Sequence, residues 1–178
     1  WLRANAVTLI GFLIGLTVIP LLWEQFYLHA LAVILINRFL DGLDGAIARR
    51  DGISDLGGFL DISCDFIFYS AVVFGFALAD PDRNALAASF LIFSFIGTGS
   101  SFLAYAIMAS KRELRSISHG TKGFFYLGGL TEGFETILFM IVICLFPGWF
   151  VETAIFFGVL CWLTTLGRFT IAIQNLSD

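Results

Sequence analysis

The chain has 178 residues, of which 58% are hydrophobic and only 13% charged, with a net charge of −4. That charge content is about half of what a soluble domain carries, so the composition excludes a soluble protein and points to an integral membrane one. Nothing in it suggests a nucleic-acid binder. Long apolar runs recur along the whole length, so the spans are helices rather than barrel strands.

Six spans are predicted, each near the ~20 residues needed to cross a bilayer. The first covers about 5–23 and reads as a span rather than a cleavable leader. The second, 28–48, carries Asp41 and Asp44 at its end. The third, 57–80, carries Asp61 and Asp65 and stops before Pro81. The fourth covers 84–109. A basic link follows, SKRELRSISHGTKG, with Lys111, Arg112, Arg115 and Lys122. The fifth, 124–146, holds Glu132 and Glu135 three apart and ends at Pro147; the sixth, 149–174, holds Arg168. The fold class is therefore an all-α membrane bundle of six helices, read as a single domain over 1–178.

Basic residues orient the bundle. With the start of the chain inside, the inner links hold Arg3, Arg49, Arg50, Lys111, Arg112, Arg115 and Lys122, and the outer links only Arg83. Pro20, Pro81 and Pro147 then fall at outer ends, where a missing backbone donor costs least. Trp23 and Trp149 serve as anchors at the same interface. Cys64, Cys144 and Cys161 lack paired spacing and read as small buried residues. Gly11 and Gly15, Gly97 and Ser101, and Gly129 and Gly133 are spaced by four, which allows close helix packing in lipid.

The informative stretch is Asp41–Asp65, DGLDGAIARRDGISDLGGFLDISCD. Acids three or four apart share a helix face, and a short link makes the two helices antiparallel neighbours. Counting inward at ~1.5 Å per residue puts Asp44 level with Asp61, and Asp41 level with Asp65, ~12 Å from the link. Carboxylates converging in an apolar setting resist ionisation unless a cation joins them. The reading is a site for a hard divalent ion, Mg²⁺ or Mn²⁺, with open positions for a diphosphate. Gly45, Ala48 and Gly57 let a ligand approach backbone, and Arg49 can pair with phosphate in forked geometry.

The pattern D-x2-D-G-x2-A-R-x7-G-x3-D-x3-D resembles the signature of the CDP-alcohol phosphotransferase family, membrane enzymes of phospholipid synthesis. The match is tight over about 25 residues. One departure is the seven residues between Arg49 and Gly57, where most members have eight; the acid spacings are intact, which suggests a subgroup. The resemblance implies the following roles. Asp41, Asp44 and Asp61 hold one metal ion, and Asp61 with Asp65 helps hold a second. Gly45, Ala48, Arg49 and Gly57 line the nucleotide pocket. Asp65 is the catalytic base. The implied reaction moves a phosphatidyl group from CDP-diacylglycerol to a small alcohol, releasing CMP, in a homodimer of a bacterial or archaeal cell membrane whose active site faces the cytoplasm.

Several residues admit two readings. Asn5 and Thr8 either lie near the nucleotide or serve as an N-cap or helix-contact pair. Glu132 and Glu135 either form a salt bridge with Arg38 or Arg168, the preferred reading, or line the acceptor pocket. Lys111, Arg112 and Arg115 satisfy the orientation rule and can also attract an anionic acceptor; Arg168 is the better candidate for gripping an acceptor phosphate. Two rival functions stand beside the transferase: the same fold using a soluble CDP-alcohol donor and a lipid acceptor, and a divalent cation transporter with acids in its path.

Overall fold

The computed structural model describes residues 3–111 and 131–177. All regular structure among them is helical: α1 (Ala4–Leu16), α2 (Val18–Trp23), α3 (Tyr27–Asp51), α4 (Asp55–Ala79), α5 (Pro81–Lys111), α6 (Gly133–Leu145) and α7 (Phe150–Leu176), with a 3-10 turn at Pro147–Trp149. Four segments are long and apolar enough to cross a membrane: Ala4–Trp23, Asp55–Ala79, Pro81–Lys111 and Pro147–Leu176. The helix α3 is as long but carries Arg38, Asp41, Asp44, Arg49, Arg50 and Asp51. The fifth predicted span is described only from Thr131, as a 13-residue apolar helix.

Local chemistry sets each boundary. The first span is split at Thr17 because Pro20 cannot donate to the carbonyl of Leu16 and its ring crowds that carbonyl. The Thr17 hydroxyl donates instead to Ile14 O, 2.6 Å away. Gln25 takes a positive φ of 60° in the turn to α3, and its amide donates to Ala79 O at 2.9 Å, tying that turn to the end of α4. Pro81 opens α5, where its missing N–H is no loss, one residue after α4 stops.

The link between the acidic helices is tighter than the sequence reading had it. The helix α3 runs on to Asp51 and α4 begins at Asp55, leaving Gly52, Ile53 and Ser54 between them. Gly52 adopts φ +113°, a left-handed region open to glycine, and its N–H caps Ala48 O at 2.9 Å. Ser54 is the N-cap of α4, its Oγ accepting from Gly57 N at 3.1 Å. Asp51 and Asp55 are thus helix-terminal residues rather than link residues. Asp55 lies in the first turn of α4, where a negative charge is favoured. Arg50 forks onto Asp51 at 2.7 and 3.0 Å and holds that carboxyl below its usual range, though so exposed a pair stabilises little.

The bundle has two unlike ends. Toward the end that holds Pro20, Pro81 and Pro147, the interior is filled. Tyr27, Phe76 and Phe150 form a stacked column with ring centroids 5.6 and 4.7 Å apart, and Phe139 stacks on Phe157 at 4.8 Å. Leu22, Ile34, Phe68, Val72, Leu91 and Met140 are fully buried around them. Close approach depends on glycine. A Cβ on Gly75 would lie 2.8 Å from Leu22 Cδ1, and one on Gly158 2.6 Å from Phe90 Cε1. Gly11 and Gly15 seat α1 against Leu40 and Asn37 of α3, and Gly97 seats α5 against Trp162 and Thr165 of α7. Gly129 lies outside the described residues. The outward faces are apolar as well, with Leu13, Phe39, Leu86 and Phe156 exposed, as a lipid solvent allows.

Gly75→Ala should therefore lower the thermal midpoint in detergent, by the equivalent of about 1–3 kcal/mol of overpacking. Gly167→Ala, where an added Cβ meets nothing within 4 Å, should stay within about 0.5 kcal/mol. Thermal unfolding followed by tryptophan fluorescence distinguishes the two.

Candidate metal and nucleotide site

At the other end the helices enclose polar side chains. Asp41 and Asp44 project from one face of α3, and Asp61 from the facing surface of α4. Each offers a carboxylate oxygen, and these oxygens lie within 4.8 Å of one another. Their exposure is graded: Asp44 is buried, Asp41 half-buried and Asp61 exposed. Asp44 Oδ2 is fully enclosed and has no hydrogen-bond partner among the described residues. A buried carboxylate oxygen without a donor is costly. An Mg–O distance of ~2.0–2.1 Å puts ligands of one ion at most about 4.2 Å apart, so small side-chain rotations would bring the three acids onto a single cation. The hard oxygen donors and the orphaned lone pair fit such an ion.

Asp65 is outside the set of oxygens that converge within 4.8 Å, although it lines the same small cavity. Its Oδ1 accepts from Arg38 Nη2 at 2.8 Å and its Oδ2 from the Tyr69 hydroxyl at 2.9 Å. Arg38 Nη1 also lies 3.6 Å from Asp41 Oδ2. The guanidinium is steadied by Asn37 Oδ1 and lies over the Phe68 and Tyr69 rings. Asn37 is itself fixed, donating to Gly11 O of α1 at 2.9 Å. Arg38, Asn37 and Tyr69 are the site residues that sequence reasoning missed. Their signal was spacing: Arg38 lies three residues before Asp41 and Tyr69 four after Asp65, each one helical turn away on the same face.

Of the residues that the resemblance assigns to a nucleotide, Gly45, Ala48 and Arg49 lie on α3 and Gly57 in the first turn of α4. Gly45 leaves room for Arg49, whose Nη1 would lie 3.4 Å from an added Cβ. Among the described residues Arg49 forms no ion pair, so its fork is available to a phosphate. Ala48 is half-buried one turn along the same helix. A Cβ on Gly57 would meet Asn5 Oδ1 at 3.1 Å, so the first turn of α1 sits against the start of α4. Asn5 is not an N-cap; Arg3 holds that position without a side-chain bond. Thr8 donates to Ala4 O at 3.2 Å and lines, with Asp41, Asp44, Cys64 and Asp65, a cavity of about 10 Å³, room for about one water. Cys64 is thus beside the acids rather than in the apolar core.

The acceptor-side expectations fare differently. The salt bridge expected for Glu132 or Glu135 does not form. The two residues close on each other as a capping box at the start of α6, with Glu132 N donating to Glu135 Oε2 at 3.0 Å. A Cβ added to Gly133 would lie 4.0 Å from the Tyr69 hydroxyl, and a helix start has to satisfy its own free N–H groups. Glu132 is exposed beside the buried Thr131, which donates to Thr164 at 3.1 Å. Arg168, one turn after Thr164, donates to Thr98 O at 2.8 Å and lies over Phe102; its Nε is buried without a partner among the described residues. Lys111 ends α5 and is exposed. Arg112, Arg115 and Lys122 lie outside the described residues.

Comparison with known proteins agrees with this geometry. A family profile described as CDP-alcohol phosphatidyltransferase matches residues 1–167. The chain belongs to this family. It is 57% identical over 164 residues to the inner membrane protein YnjF of Escherichia coli K12, covering 92% of this chain and 80% of that one. It is 31% identical over 166 residues to archaetidylinositol phosphate synthase of Pyrococcus horikoshii, with the same coverage of 92% and 80%. The fold resembles the crystal structure of Mycobacterium tuberculosis phosphatidylinositol phosphate synthase with CDP-DAG bound. That likeness has a TM-score of 0.56 at 22% identity and covers 98% of this chain and 85% of the other. The family is one of phosphotransferases, and the acidic triad of this member is compatible with a divalent metal.

Removing the charge of Asp44 should separate the two faces of the site. Asp44→Asn should raise the thermal midpoint of metal-free protein, because a buried unpaired charge is relieved. It should also abolish the rise that Mg²⁺ gives to the parent, about 2.7 kcal/mol at a hundredfold excess over Kd. Melting curves in EDTA and in Mg²⁺ measure both.

Proposed function

We propose that this protein transfers a phosphatidyl group from CDP-diacylglycerol to the hydroxyl of a small alcohol, releasing CMP. The observation that carries the reading is the convergence of Asp41, Asp44 and Asp61 inside the family motif, beside an arginine fork and three small residues. Asp41, Asp44 and Asp61 would hold a divalent ion at the diphosphate; a second, shared by Asp61 and Asp65, requires Asp65 to give up Arg38. When bound, such ions neutralise the diphosphate and the charge that develops on attacking and leaving oxygens. Arg49 grips the phosphate on the nucleotide side, and Gly45, Ala48 and Gly57 admit the nucleotide close to backbone.

Asp65 acts as the general base. Each of its oxygens accepts one hydrogen bond and keeps a second lone pair, so the carboxylate can take the acceptor's proton while Arg38 and Tyr69 hold its orientation. The acceptor oxygen bonds to the lipid-side phosphorus, the bond from that phosphorus to the CMP oxygen breaks, and CMP departs with the electron pair. Arg168 is the proposed grip on an acceptor phosphate; its buried Nε lacks a partner among the described residues, which is compatible with that role. The Pyrococcus relative, named for an archaetidylinositol phosphate, supports a lipid-linked donor and a phosphorylated alcohol acceptor. The charge bias of the links supports six spans, with the acidic end and the N-terminus at the cytoplasmic face. Family resemblance supports a homodimer.

CMP release from CDP-diacylglycerol and a panel of alcohols, with lipid products weighed by mass spectrometry, tests the reading. EDTA should abolish turnover and Mg²⁺ or Mn²⁺ restore it. Asp65→Asn should lose about 10²–10⁴-fold in kcat, while Asp51→Asn, outside the site, should stay near the parent. Label entering product from a soluble CDP-alcohol instead would assign the reverse donor arrangement. Metal flux into proteoliposomes without nucleotide would assign a transporter.

A further inference from the structure

The triad and Asp65 differ in what neutralises them. The oxygens of Asp41, Asp44 and Asp61 face one another, and among the described residues Arg38 reaches only the edge of that group, 3.6 Å from Asp41, whereas it bonds Asp65 directly at 2.8 Å. That cation, Arg38, is held unusually well. Its Nε and Nη2 donate to Asn37 Oδ1 at 2.9 and 2.5 Å, its Nη1 to the Tyr69 hydroxyl at 3.1 Å and its Nη2 also to Asp65. All three guanidinium nitrogens are therefore committed. Two aromatic faces lie within 5.3 Å of its central carbon, and the side chain is only 11% exposed. Arginine stays protonated under all ordinary conditions, so this positive charge is permanent.

Arg38 also lies between Asp65 and Asp41, 3.6 Å from the latter. A divalent ion on Asp65 would have to displace the guanidinium from Oδ1 or share Asp65 with it at close range. Displacement would strand a buried charge among Phe68, Tyr69 and Asn37, and sharing would set like charges together in a poorly solvated site. Either route disfavours the second ion more than the first, because the guanidinium is bonded to Asp65 at 2.8 Å and only neighbours Asp41 of the triad at 3.6 Å.

We propose that Arg38 is a resident cation that takes the place of a second metal ion at Asp65, so that the protein binds one divalent ion per chain with high affinity, on Asp41, Asp44 and Asp61. This rests on the metal-dependent reading above and deepens it. The second positive charge of the site is built into α3, and Asp65 is aimed by a side chain rather than by metal. Substituting Arg38 frees Asp65 and opens the second ion position.

The test is Mn²⁺ binding to the purified full-length chain in nanodiscs, with and without CDP, followed by electron paramagnetic resonance. Parent protein should bind one Mn²⁺ with a mononuclear spectrum, any second ion being at least tenfold weaker. Arg38→Gln should bind two, with an exchange-coupled spectrum and at least a tenfold gain in affinity for the second. Arg38→Lys, which keeps the charge, should remain at one and shows that the difference is electrostatic. Two coupled ions of similar affinity in the parent would overturn the proposal while leaving the metal-dependent reading standing. A single ion in a folded Arg38→Gln variant would also overturn it. No bound Mn²⁺ in the parent would overturn the metal site itself. If Arg38→Gln does not fold, the parent's own stoichiometry decides.

Discussion

Repulsion among carboxylates sets the terms for this molecule. Asp41, Asp44 and Asp61 gather within 4.8 Å of one another in a bundle whose remaining interior is largely apolar, and like charges so close cannot all stay ionised without a cation. The surrounding structure answers that constraint in two ways. Arg38 neutralises the deeper acid, Asp65, from within the chain. The triad is left open, with an enclosed oxygen on Asp44 that has no partner among the described residues and is compatible with a divalent ion.

This division follows from how the two ends of the bundle are built. Toward the proline end, stacked rings and close glycine contacts make a dry interior that holds α2, α3, α4, α5, α6 and α7 in register. Rigidity there lets the other end stay polar without collapsing. The three-residue connection between α3 and α4 ties the two acidic faces together at the open end, through Gly52 and Ser54. Asn37 extends the tie to α1 by bonding Gly11 O. The acids are thus placed by three helices, and their geometry is fixed by backbone and by buried side chains rather than by exposed loops.

The same arrangement explains why so many charged groups lie within or beside apolar segments. Several have a specific recipient: Arg38 for Asp65, Glu132 and Glu135 for the start of α6, Arg168 for Thr98 O. Among the buried side-chain atoms of the described residues, Asp44 Oδ2 and Arg168 Nε lack one.

Much of this was legible in the chain itself. Apolar length and sparse charge determined a helical membrane protein. The three- and four-residue spacings of Asp41, Asp44, Asp61 and Asp65 determined which face each helix turns to the site, because 3.6 residues per turn leaves little choice. Partner choice was not legible, because it depends on distances between helices that periodicity does not encode. Spacing made Asp65 a member of the cluster, but packing of Phe68 and Tyr69 beneath Arg38 gave it a different neighbour. Spacing offered Glu132 and Glu135 to an arginine, but α6 begins at Gly133, and its own free N–H groups claimed them first. Local pattern decides direction along and around a helix; which charges actually meet is decided only when the helices pack.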